Sequence, residues 1–325
     1  MWQGVVVAAA LMQAASAPEA PQAPPPRELA PGVHLIPGAI LPQRGPDGNS
    51  VVFTARDGLI VVDTGRHAWH SDAILGFARA QSRPIAAILN THWHLDHSSG
   101  NGRLKAAYPD ARVYTTDAIE RVLAPGGFLV RNLDQTRAML DNPDLSAVQK
   151  EEVRIYLATM DERDILRPDV LIERSGRTRI AGKRLDVRVA ERAVTDSDIW
   201  LYDRASRIAV IGDLVTLPAP FFETACPEQW SAALDAVWAT PFETAVPGHG
   251  EPMSRAQFDS YRQGFNAFMA CVNSDAEAAQ CGTVWVEGVR PLLTPESEAS
   301  ARAYAEYYVG FLRPHGGRSA DCLAD

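Results

Sequence analysis

The chain has 325 residues, 46% of them apolar and 22% charged, enough to bury a sizeable core in one large domain or two ordinary ones. Its formal net charge of -9 argues against a nucleic-acid partner, because phosphate recognition needs a basic surface, and suits action on a small-molecule substrate. No stretch reaches the roughly 18–20 consecutive apolar residues of a membrane span.

Residues 1–17 read as a signal peptide: Val5–Ala15 is apolar, and Ala15-Ser16-Ala17 has the small-residue pattern of a cleavage site. Met1–Gly4 carries no Lys or Arg and Pro18 follows directly, so a plain tail of small residues is the alternative. Residues 18–28 read as a Pro-rich tether, which predicts an exported protein, periplasmic or secreted. Four cysteines fit an oxidising compartment and two disulfides. Cys271 and Cys281 are close in sequence and are expected to pair, leaving Cys226 for Cys322.

From residue 29 short β-type runs recur and end in polar residues. Strands are expected near Val33–Ile36 and Val51–Thr54, with no helix between them, an antiparallel start. Leu59–Val62 then runs into Asp63-Thr64-Gly65, Ile85–Leu89 into Asn90-Thr91-His92, Ile208–Ile211 into Gly212-Asp213, and Thr244–Val246 into Pro247-Gly248-His249. Reactive groups just past strand ends are the arrangement of an α/β site. Helices are expected over Asp72–Ala80, Asn101–Ala107 and Glu228–Ala239. About 117–168, which lacks strand runs, reads as a helical insertion. The domain is expected to span 29–275. Within it Phe258, Tyr261, Phe265, Phe268, Met269 and Val272 recur at helical spacing after the N-cap Ser254. A C-terminal extension, 276–325, is expected to hold one helix after Thr294-Pro295, with Tyr304, Tyr307, Tyr308, Phe311 and Leu312 on its packing face.

The chemistry lies in Thr91-His92-Trp93-His94-Leu95-Asp96-His97. In an extended segment His92 and His94 project to one side and can grip one ion, while Asp96 and His97 point elsewhere and can serve a second. Imidazole with carboxylate suits zinc, with iron or manganese as alternatives. Three histidines and an aspartate within six positions, directly after a strand, predict a metal site.

The segment resembles the hallmark of the metallo-β-lactamase superfamily, and the resemblance runs in order over roughly residues 30–270. It implies a four-layered αβ/βα sandwich. It further implies that Asp63 supports the site from behind the ligands, that Asp213 bridges two metals, and that His249 completes the second position. The family's further histidine is missing, because Val194 of Arg192–Asp198 stands in its place. No histidine at all lies between His97 and His249. The first position keeps His92, His94 and Asp213; the second keeps Asp96, His97, His249 and Asp213. One tight zinc and a second, weaker one are expected, with Asp196 or Glu191 as substitute ligands of lower standing.

The resemblance implies a metal-dependent hydrolase whose activated water attacks an ester, thioester, lactone or amide carbonyl. Asp96 would orient the nucleophile, His94 or Asp96 would act as base in a one-metal form, and Asp63 would position the ligands. Aspartate at 213, where dedicated β-lactamases carry cysteine or serine, places a divergent β-lactamase behind lactone and thioester hydrolases. The alternative from another class is a metal-stabilised binding protein with little hydrolytic activity. His34, His67, His70 and His315 lack motif partners and read as surface or packing residues, and Trp93 as a packing residue.

Overall fold

The computed structural model describes residues 21–322, so the expected signal peptide and the first residues of the tether lie outside the described part. The architecture is mixed α/β with two sheets and helices. One sheet joins β1 (Arg27–Ala30), β2 (Val33–Ile36), β3 (Ser50–Ala55), β4 (Gly58–Val62), β5 (Ile85–Leu89), β6 (Arg112–Thr115) and β7 (Val170–Leu171) in that order. Its first four strands are antiparallel neighbours, as the missing helices predict, and β4 to β7 run parallel. The other sheet has the order β13-β12-β11-β10-β9-β8, from β8 (Gly176–Ile180), β9 (Lys183–Glu191), β10 (Ser197–Asp203), β11 (Ile208–Thr216), β12 (Thr244–His249) and β13 (Met253–Ser254).

The chain divides into two compact units. The first runs through Glu173 and includes Ile180–Lys183; the second takes Arg174–Arg179 and the chain from Arg184 onward. The stretch 29–275 contributes to both, and each unit pairs one sheet with helices.

In the first unit β4 is buried along its whole length, as a parallel strand covered on both faces requires. The helix Ala68–Ala80 packs Ile74, Leu75, Phe77 and Ala78 onto Val52, Leu59, Val61 and Ile88. The insertion is helical at Ala118–Leu123, Leu133–Ala138 and Ala147–Asp161, the last begun by a reciprocal cap between Ser146 and Gln149. Its Ile119, Val122, Leu123 and Met160 form a second core with Trp93 and Leu95. Trp93 is therefore the packing residue its position suggests, and it ties the insertion to the histidine segment.

The second unit is built on aromatic packing. Phe258, Tyr261, Phe265 and Phe268 of the helix Arg255–Val272 are fully buried with Phe222, Trp230 and Trp285, each contributing about 2–3 kcal/mol by burial. The disulfides are Cys226–Cys322 and Cys271–Cys281, the expected pairing.

Three expectations need correction. The extension after 276 holds two helices, Ala278–Val289 and Pro295–Leu312. Gly282, Gly288 and the β-branched Thr283, Val284, Val286 and Val289 hide the first by their weak helix preference. Packing overrides that preference: Trp285 is fully buried, and a Cβ on Gly288 would lie 2.7 Å from the Cα of Gly264, so glycine lets the two helices touch. On the last helix the buried face is Ala301, Ala305, Tyr308, Val309 and Leu312, while Tyr307 is 45% exposed, so the aromatic stripe is only partly a packing face. Asp213 lies inside β11 rather than past its end, at a break in register where Gly212 takes φ 51°. No helix of the described residues is long and apolar enough to cross a membrane.

Candidate metal centre

Four expected ligands belong to the first unit. Beyond β5 the chain does not stay extended: Thr91–Trp93 bends, and Leu95–Ser98 forms one helical turn carrying Asp96 and His97. The bend still brings the imidazoles together, with ring centroids 4.6 Å apart for His92 and His94 and 4.3 Å for His92 and His97. His97 Nε2 stands 3.5 Å from Asp96 Oδ2. All four side chains are buried.

The hydrogen bonds around this turn decide which nitrogens point where. Asp63 accepts from the Thr91 amide at 2.7 Å and the Thr91 hydroxyl at 2.8 Å, and lies 2.9 Å from His97 Nδ1. With Nδ1–H donated to Asp63, Nε2 of His97 is left for a metal. The Thr91 hydroxyl spends its proton on Asp63 and accepts from His92 Nδ1 at 2.9 Å, which leaves His92 its Nε2 as well. Burial pushes the Asp63 carboxyl upward, and the His97 ring and Thr91 pull it back down. Asp63 sits at φ 61°, a left-handed conformation of the kind that collects at functional sites. The turn is fixed from behind: the His97 carbonyl accepts from Thr64 N at 2.8 Å and Asn90 Nδ2 at 2.9 Å. Gly48 donates to the Asp96 carbonyl at 2.9 Å, and its missing side chain matters, since a Cβ there would collide with the His97 ring.

The other two expected ligands belong to the second unit. His249 Nε2 lies 3.6 Å from Asp213 Oδ1, both residues buried. A Cβ on Gly248 would strike the Asp213 carboxylate, so the Pro-Gly-His turn needs its glycine. Val194 is fully buried within the aromatic core of this unit. Its turn is held by Asp198, whose carboxylate accepts from the amides of Val194 at 3.0 Å and Thr195 at 3.1 Å and from the Thr195 hydroxyl at 3.0 Å. Burial nevertheless pushes the Asp198 carboxyl up to about 8, with the Asp213 charge adding to the rise.

His67 and His70 are not the surface or idle packing residues their isolation suggests. His67 is buried between two carboxylates, Nδ1 2.8 Å from Asp47 and Nε2 3.0 Å from Glu152. His70 Nε2 is 2.8 Å from the Ser50 hydroxyl. No motif marks Glu152, which comes from the insertion 85 residues after His67.

The family model described as the metallo-beta-lactamase superfamily matches residues 44–249. The linear primary-alkylsulfatase of a Pseudomonas species is 27% identical over 226 residues, covering 62% of this chain and 41% of the relative. The hydroxyacylglutathione hydrolase of a Synechococcus species is 39% identical over 56 residues, 17% of this chain and 21% of the relative. The chain thus spans well under half the length of either. Among solved structures, a metallo-beta-lactamase from Pontibacter korlensis superposes with a TM-score of 0.51 at 17% identity, over 72% of this chain and 94% of that one. A stereoselective inverting sec-alkylsulfatase from Pseudomonas sp. gives 0.56 at 17% identity, over 88% and 50%. At such identities the structural likeness speaks for the fold.

Proposed function

We propose that the chain, which belongs to the metallo-beta-lactamase superfamily, is a zinc-dependent hydrolase of a small-molecule ester, thioester, lactone or amide. The observation that carries this reading is the donor set. In the first unit His92, His94, Asp96 and His97 are buried close together, and in the second Asp213 and His249 are, which supplies donors for a four-ligand and a three-ligand position. Imidazole and carboxylate donors fit zinc, and four donors against three support one tight ion and one weaker. Val194 accounts for the shortfall, because an apolar side chain offers no donor. When bound, such an ion lowers the pKa of water from about 16 towards 7 and polarises the oxygen of the scissile group.

The chain's own groups supply the rest. Asp96 orients the attacking water by accepting its hydrogen bond and carries the proton towards the leaving group. Asp63 holds His97 by Nδ1 and so fixes the ring's direction and tautomer. The buried surroundings keep bulk water from competing for these groups. Export to the periplasm or beyond belongs to the same reading, supported by two disulfides in the described chain.

The alkylsulfatase relative favours a second substrate class, sulfate esters, for which the same donors would face a sulfur centre. The test is metal analysis of protein purified without chelator, followed by turnover of a panel of lactones, thioesters, carboxylic esters, β-lactams and alkyl sulfates. We expect close to one tightly held zinc, and turnover that falls by orders of magnitude in Asp96→Ala. A metal-free protein, or one that turns over nothing when loaded with zinc, would leave the metal-stabilised binding protein as the better reading.

A further inference from the structure

Around the loop 44–48 the first unit gathers Arg44, Arg66 and His67 about two carboxylates, Asp47 and Glu152. Glu152 and Asp47 are both fully engaged. Glu152 receives Arg44 at 3.1 Å, the Gly45 amide at 3.0 Å and His67 Nε2 at 3.0 Å. Asp47 receives the amides of Arg66 at 2.7 Å and His67 at 2.9 Å and the His67 ring at 2.8 Å. Arg66 gives its backbone to this network and keeps its guanidinium out of it. The Arg66 Nε is buried without a hydrogen-bond partner, and among the described residues no carboxylate forms a salt bridge with this side chain.

The group is nonetheless held in place. It lies flat against Gly45, where a Cβ would come within 2.8–3.0 Å of three guanidinium atoms. Burial pushes the half-buried Tyr156 hydroxyl upward, while the positive charges of Arg66 and Arg131 oppose the rise. The Arg131 guanidinium lies 4.6 Å from the Phe128 ring, which is 5.2 Å from Trp93, the residue between two expected ligands. The charge of Glu152 reaches Arg66, but its hydrogen bonds go to Arg44, Gly45 and His67, and a buried Nε without a bond is costly unless something from outside satisfies it. The planar guanidinium fork matches an oxoanion, and the Phe128 ring at Arg131, packed against Trp93, suits an apolar body.

We propose that Arg66 binds the anionic end of the substrate, a carboxylate or sulfate-type oxoanion carried on an apolar chain or ring. The loop sets the spacing. Gly45 touches Arg66 and Gly48 touches His97, and three residues apart their Cα atoms are separated by at most about 11 Å. The preferred substrate is therefore a short bifunctional molecule, with a scissile ester at the histidines and an anion a few bonds away. Arg66 acts in binding and takes no part in the bond-breaking step.

This inference rests on the hydrolase reading for its kinetic test alone. Two aryl esters differing only at the far end, 4-nitrophenyl hydrogen glutarate and its methyl ester, are compared on zinc-loaded protein. The parent should favour the anionic ester at least tenfold in kcat/KM, through KM. Arg66→Met should abolish the preference by raising KM for the anionic ester. Gly45→Ala keeps every charge but displaces the guanidinium, and should reduce the preference as well. Equal cleavage of both esters by the parent, or equal losses on both in Arg66→Met, would overturn the proposal.

If neither ester is cleaved, the hydrolase reading fails, and calorimetry with 4-phenylbutyrate, 4-phenylbutane sulfonate and 4-phenylbutanol decides the anion site alone. Both anions should bind at least tenfold more tightly than the alcohol, and Arg66→Met should erase the difference. Anion binding that survives Arg66→Met would place the anion elsewhere and end the proposal.

Discussion

The Nδ1 of His97 lies 2.9 Å from the Oδ2 of Asp63, a residue held at φ 61° whose carboxylate also takes both donors of Thr91. One strained carboxylate thus joins the strand end before the histidine segment to the last histidine in it. Asp63→Asn keeps the shape but replaces one acceptor oxygen with a donor, so it cannot serve Thr91 and His97 together. Zinc affinity at the tight position should fall ten- to a hundredfold, measured by chelator competition. Unchanged affinity would mean that His97 is not oriented through Asp63.

The His67 network predicts a pH window for stability. Burial alone would raise Asp47 and Glu152, but bonding to His67 holds both below their ordinary values of 3.8 and 4.5. Burial alone would lower His67, but its two carboxylate partners hold it above 6.5. The carboxylates' contribution is present above 3.8 and 4.5 and is lost as pH falls through their depressed values. The imidazole's contribution is complete below 6.5 and is lost as pH rises through its raised value. The cost of His67→Gln should therefore be greatest between about pH 4.5 and 6.5, about 3 kcal/mol, and shrink above that window. Urea unfolding of parent and variant across pH measures it, and a cost that grows towards pH 9 would contradict a charged His67.

Val194→His tests the alignment of the missing ligand. Val194 is fully buried in an apolar core, so an imidazole there should destabilise the metal-free protein by about 1–3 kcal/mol. With zinc present the same ring should tighten the weaker position about tenfold or more. Titration against a chelating indicator reads the second effect and thermal unfolding the first. Destabilisation without any gain in zinc affinity would show that residue 194 does not face the metals.

The disulfides should differ in weight. Cys226–Cys322 closes a separation of 96 residues and Cys271–Cys281 one of 10, and chain-entropy reasoning assigns them about 5 and about 3 kcal/mol. Replacing each pair with alanine and measuring denaturant unfolding should show the larger loss for Cys226–Cys322. Equal losses would point to strain or to residual structure in the unfolded chain.

Much of this protein was legible in the chain itself. The order of Asp63, the histidine segment, Asp213 and His249 marked the family, because short strands ending in reactive residues leave a local pattern. The helices at 101–107 and 255–272 were equally plain, since periodicity and caps act over a few residues. Cysteine pairing followed from number and spacing. Other features depend on what the folded chain brings together. Glu152 meets His67 across 85 residues, and no local signal links an insertion helix to a residue before the metal motif. The helix Ala278–Val289 is set by a glycine contact with Gly264 and by the burial of Trp285, against its own propensity. The Arg66 guanidinium, one of many in the chain, is distinguished only by its packing on Gly45 and a buried Nε without a hydrogen-bond partner. Local patterning writes elements and motifs into sequence, whereas the partners of a buried charge are decided when distant segments close around it.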